Sequence, residues 1–138
     1  MIRILLVDDD QSFRPMLAET LSRLGHHVVT ATNGDEALVL FREDAIDLVI
    51  TDLIMPEREG LDVIRTLRRR APNVKIIAMS GGGRTSPVTY LEIAKRLGAA
   101  TVLAKPFSTE QLKSAIAEAV PSAQAVSNSA APPSGPSV

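Results

Sequence analysis

Short apolar runs alternate with segments of helical period, and that alternation restricts the fold more than any other feature of the chain. The runs cover residues 2–7, 28–31, 48–51, 75–79 and 101–104. They lack the polar alternation of a half-exposed strand, so they read as strands buried on both faces. The intervening segments, 12–24, 34–42, 61–70, 87–97 and 109–120, read as helices. Strand and helix in strict alternation imply right-handed crossovers and an open parallel sheet covered on both sides.

Local chemistry marks the element boundaries. Gly25 and Gly98 stand where a helix ends in a left-handed residue, and Ser86 before Pro87 suits a cap followed by a first helical position. Ser108 and Gln111 form a capping-box pair, with Phe107 and Leu112 at the staple positions around them. Pro15 falls near the start of the first helix, where it is harmless in the first turn and costly one residue later.

A chain of 138 residues with 45% hydrophobic content fits one domain with a real core, here residues 1–120. Its formal net charge of −1 gives no electrostatic footprint for nucleic acid, and no apolar stretch is long enough to span a bilayer. Cysteine is absent, which excludes disulfides, thiol catalysis and thiolate metal sites. The N-terminus lacks a signal peptide's basic start and cleavage site, so a cytoplasmic location is expected; a monomer is expected as well. Residues 121–138, "PSAQAVSNSAAPPSGPSV", carry no charge and read as a flexible tail too short for an output domain.

In a sheet of this kind ligands bind outside the carboxyl ends of the strands. Asp8, Asp9 and Asp10 follow the first run, Asp52 ends the third, Ser80 the fourth and Lys105 the fifth. Asp10 reads as the N-cap of the first helix. Asp8, Asp9 and Asp52 then leave a negative surplus beside the single charge of Lys105, which a hard divalent cation would neutralise. Magnesium suits it, because it takes oxygen ligands and is held by one or two carboxylates plus phosphate oxygens.

The stretches "ILLVDDD", "DLVITDLIMPEREG", "MSG" and "VLAKPF", in register over residues 2–120, resemble the receiver domain of two-component response regulators. The resemblance implies an α/β, flavodoxin-like three-layer sandwich of strand order 2-1-3-4-5. It implies that Asp52 is the phosphoacceptor and that Asp9 and Asp52 touch magnesium directly. Asp8 would act largely through water, and the main-chain carbonyl of Ile54 would complete the protein's share. Ser80 matches the hydroxyl that bonds the phosphoryl group, Lys105 the lysine that pairs with a phosphoryl oxygen, and Pro106 the proline after a cis bond. A stand-alone switch is expected, phosphorylated by a histidine kinase or histidine phosphotransfer protein and acting on a downstream target protein. It would catalyse its own phosphorylation and dephosphorylation without being a turnover enzyme.

Val102 and Gly82 depart from the family pattern. Val102 stands where the family has an aromatic residue three before the lysine, so switching by ring rotation is not available. Gly81 fits the family's small position, whereas Gly82 has no side chain to steer water. Asp8 and Asp10 also spell D-x-D, similar to the first motif of haloacid dehalogenase-type phosphatases, and an unphosphorylated receiver-like scaffold is a third reading. Arg68, Arg69 and Arg70 read as a solvated helix end whose cations suit the dipole. His26 and His27 lack the cluster a metal site needs, and Tyr90 reads as a half-buried helix residue.

Overall fold

The computed structural model describes residues 1–53, 60–81 and 87–121. Its elements run β1 (Arg3–Val7), α1 (Phe13–Arg23), β2 (His27–Ala31), α2 (Gly34–Leu40), β3 (Leu48–Asp52), α3 (Gly60–Arg70), β4 (Lys75–Ser80), α4 (Pro87–Leu97), β5 (Thr101–Ala104) and α5 (Thr109–Ala119). All strand pairs are parallel, in the order β2-β1-β3-β4-β5. This is the flavodoxin-like arrangement expected.

Strand periodicity divides the core between the two faces of the sheet. Leu5, Val7, Val49, Ile76 and Ala78 join Ala37 of α2, Val63, Ile64 and Leu67 of α3 and Ala94 of α4. The alternate residues Ile4, Leu6, Leu48, Ile50, Ile77 and Met79 meet Leu17 and Leu21 of α1 and Leu112 and Ile116 of α5. Hence β1, β3 and β4 read as continuous apolar runs. β2 and β5 do not meet the expectation of burial on both faces: Thr30 and Ala104 are exposed. They are the sheet edges, each with one strand neighbour.

The helix ends follow local rules where short-range contacts decide. Gly25 and Gly98 adopt φ of +96° and +118°, a region that penalises a Cβ. Both halves of the Ser108–Gln111 capping box form, and Phe107 packs on the cluster containing Leu112. Pro15 is the third residue of α1, where its missing N–H has no helical partner to lose. The Ser86 cap lies outside the described residues, as do residues 122–138 of the expected tail.

Helix α2 stops at Leu40, short of the expected residue 42, because Phe41 turns to extended backbone and buries its ring. Arg70 covers that ring at 5.5 Å and donates to the Leu38 carbonyl at 2.8 Å. Arg68 donates to the carbonyls of Pro72, Val74 and Gly98 at 2.6, 2.8 and 2.6 Å, tying the end of α3 to the end of α4. The reading of this arginine run as a solvated end therefore fails for Arg68, which is half-buried and satisfies three carbonyls, and holds for Arg69 and Arg70, which are exposed although Arg70 also reaches the carbonyl of Leu38. His26 is structural: its Nδ1 accepts the Ile2 N–H at 3.3 Å.

Candidate functional site

Parallel strands point their carboxyl ends at one rim, and the register holds the rim residues level. Asp8 follows β1, Asp52 ends β3, Ser80 ends β4 and Lys105 follows β5. Val7 pairs with Thr51, Asp52 with Met79 and Ser80 with Ala104. Backbone bonds continue past the strand ends, from the Leu53 N–H to the Met79 carbonyl at 3.0 Å and from the Lys105 N–H to the Ser80 carbonyl at 2.7 Å.

The charged groups converge on this rim. Lys105 Nζ lies 2.9 Å from Asp8 Oδ2 and 3.5 Å from Asp52 Oδ2. Asp8 is fully buried, and its second oxygen accepts the Asp10 N–H at 2.9 Å. Asp9 is half-buried, Asp52 is buried, and the three residues Asp8, Asp9 and Asp52 offer carboxylate oxygens within 4.8 Å of one another. Three hard oxygen donors against one ammonium fit a small divalent cation, magnesium among them. Ile54, whose carbonyl was expected to complete that set, lies outside the described residues.

Burial acts on Asp52 more strongly than any single neighbour. It pushes the carboxyl up to about 6, with Asp8 and Asp9 acting in the same direction. Lys105 and the Leu53 N–H, which donates to Asp52 Oδ1 at 2.9 Å, oppose that rise. At pH 7 the carboxylate is still mostly ionised and can act as a nucleophile.

Asp10 behaves differently. It is exposed, and its Oδ1 accepts the N–H groups of Ser12 and Phe13 at 2.8 Å each, which holds its carboxyl below the usual range. The capping role expected of Asp10 is thus present, although Ser12 is the formal N-cap and contributes no side-chain bond. An acid committed to two backbone donors is poorly placed as the proton shuttle of a D-x-D phosphatase.

Ser80 is 2% exposed at the edge of the cluster. Val102 pairs with Ala78 and packs, half-buried, on the α3–α4 side of the core. The peptide bond from Lys105 to Pro106 is cis, as expected. Gly82 and the Tyr90 side chain lie outside the described residues.

Two glycines shape the site without contributing chemistry. A Cβ on Gly60 would overlap the Asp52 carbonyl oxygen and stand 2.6 Å from Leu53 Cα. One on Gly81 would meet the Lys105 stem, at 2.9 Å from Cδ and 3.2 Å from Cβ. Gly81 was read from the sequence as a small position. Gly60 was missed, its only signal being a glycine in the first turn of a helix, where glycine is a poor helix former.

Residues 4–117 match the model of the response regulator receiver domain. The chain belongs to that family. Among relatives, it is 39% identical over 115 residues to "Probable transcriptional regulator ycf27" of Porphyra purpurea, covering 83% of this chain and 45% of that protein. It is 37% identical over 117 residues to the DNA-binding transcriptional regulator NtrC of Azospirillum brasilense, covering 85% and 24%. This receiver therefore spans less than half the length of either relative. A receiver domain protein from Clostridium thermocellum superposes with a TM-score of 0.81 at 30% identity, covering 91% of this chain and 99% of that one. Among the described residues, no helix of this receiver is long and apolar enough to cross a membrane.

Proposed function

We propose that Asp52 accepts a phosphoryl group from the phosphohistidine of a histidine kinase or histidine phosphotransfer protein, and that the modified domain signals by binding a target protein. The observation that carries this reading is the buried Asp52 carboxylate beside Lys105, with Asp8 and Asp9 within ligand distance. An Asp52 oxygen forms the new P–O bond as the donor's P–N bond breaks, and the departing imidazole keeps the electron pair. Lys105 leaves its carboxylate partners to pair with one phosphoryl oxygen, and the Ser80 hydroxyl donates to another. Asp8, Asp9 and Asp52 would hold magnesium, with the Ile54 carbonyl. When bound, the metal supplies positive charge that offsets the incoming oxygens. Water later attacks phosphorus and breaks the bond to Asp52, so the mark is temporary.

The formal net charge of −1 favours a protein over nucleic acid as the contact made by these residues. Ser80 ends β4, the strand before α4, and Lys105 lies between β5 and α5, which makes α4, β5 and α5 the proposed output face. A groove of about 390 Å³ runs along β5 and α5, flanked by Glu110 and Glu118, and offers a contact surface on that side. Val102 buries less area than an aromatic ring, which makes the coupling between phosphorylation and target binding shallow.

Incubation with magnesium and acetyl phosphate tests the reading. One acid- and base-labile phosphate is expected on the wild type and none on Asp52→Asn. Labelling that survives in the Asn variant, or that maps to Asp8, overturns the assignment and favours the phosphatase. Asp9→Ala should abolish magnesium binding in isothermal titration. Amide shifts on adding beryllofluoride should extend along α4 and β5; shifts confined to the phosphoryl-contacting residues sink the proposed output face.

A further inference from the structure

Lysine has a long flexible stem, so its ammonium stays in one place only where the surroundings confine it. Two sides of the Lys105 socket are formed by the Asp8 and Asp52 carboxylates at its head and Gly81 against its stem. The third side is aromatic. Lys105 Nζ sits 4.2 Å from the centroid of the Phe13 ring, and Phe107 meets that ring at 90° with 5.9 Å between centroids.

We propose that Phe13, at the start of α1, is a positioning residue for phosphoryl transfer, its ring face seating the Lys105 ammonium beside Asp52 while Phe107 holds that ring in place. The inference rests on the phosphoacceptor reading of Asp52 and adds a residue to it. The chemistry favours a ring over a third carboxylate. A π face attracts the ammonium through its quadrupole yet leaves the positive charge unneutralised and available to an arriving phosphoryl oxygen. Partial burial strengthens that attraction, since water competes less for the ammonium; the Lys105 side chain is only 17% exposed. Phe107 also occupies the staple position of α5, packing on the cluster that includes Leu112, so the second ring is anchored by the core.

The alternative is that Phe13 only fills apolar space, and Phe13→Leu separates the two because it keeps the apolar contact and removes the π face. On the full chain, the Lys105 ε-methylene protons should resonate upfield in the wild type through the ring current. That shift should vanish in Phe13→Leu and persist in Phe13→Tyr. With acetyl phosphate and magnesium, Phe13→Leu should lower the maximal phosphorylation rate about three- to tenfold with little change in the half-saturating acetyl phosphate concentration, and Phe13→Tyr should restore it. Equal slowing by Leu and Tyr, or a wild-type maximal rate in Phe13→Leu, overturns the positioning role. If the wild type takes no phosphate on Asp52, the phosphoacceptor reading fails. The methylene shift still tests the seat in that case: its absence from the wild type overturns the seat, and its loss only in Phe13→Leu supports it.

Discussion

Gly60 packs so closely on the backbone of Asp52 that any side chain at that position would overlap the Asp52 carbonyl oxygen. The neighbour is main chain at the end of a buried central strand and cannot yield as a flexible side chain does. Gly60→Ala is therefore expected to destabilise the fold by about 2–4 kcal/mol, toward the upper end of overpacking costs. Urea unfolding measures this, and a midpoint equal to wild type would show that the start of α3 shifts freely.

Asp52 itself lowers stability at neutral pH. The folded carboxyl holds its proton up to about pH 6, whereas the unfolded one releases it near 3.8. The folded state thus binds more protons between those values, and stability falls as pH rises through that window. In metal-free buffer, Asp52→Asn should be more stable than wild type by about 1–3 kcal/mol at pH 7.5, with the gap closing below pH 4. Thermal melts across that range check the sign; a gap independent of pH would assign it to packing.

The Lys105–Asp8 pair is asymmetric, and its two halves should respond differently to mutation. Lys105→Met leaves the fully buried Asp8 carboxylate without its ion-pair partner, whereas Asp8→Asn leaves a partly exposed ammonium that can swing toward Asp52 or solvent. In chelator, Lys105→Met should cost about 3 kcal/mol at pH 7 and Asp8→Asn markedly less. Denaturant titration of both variants tests the order.

The His26–Ile2 bond needs a neutral imidazole, since Nδ1 accepts the backbone N–H. Burial holds His26 below its ordinary value of 6.5, so the unfolded state binds the proton first as pH falls. Stability contributed by neutral His26 is present above 6.5 and is lost as pH falls below it toward the lower folded value. Hydrogen exchange at Ile2, normalised to intrinsic rates, should lose protection over that interval while Ile4 in the centre of β1 does not. His26→Gln should remove this pH dependence at Ile2.

The amino-acid sequence by itself determined the five alternating units, their helix stops at Gly25 and Gly98 and the capping box at Ser108. It also determined that Asp8, Asp52, Ser80 and Lys105 end up at or beside strand ends, because apolar runs and capping contacts act over a few residues and are legible in order. Only the tertiary structure decided that Lys105, 97 residues from Asp8, donates to it at 2.9 Å. It decided too that Arg68 and Arg70 are bound to distant carbonyls, and that Gly60 faces the Asp52 backbone. Each of these depends on which strands become neighbours and in what register, a choice made by burial across the whole sheet. No local stretch of sequence carries that information: the two carboxylates and the face of Phe13 reach Lys105 from segments far from it in the chain.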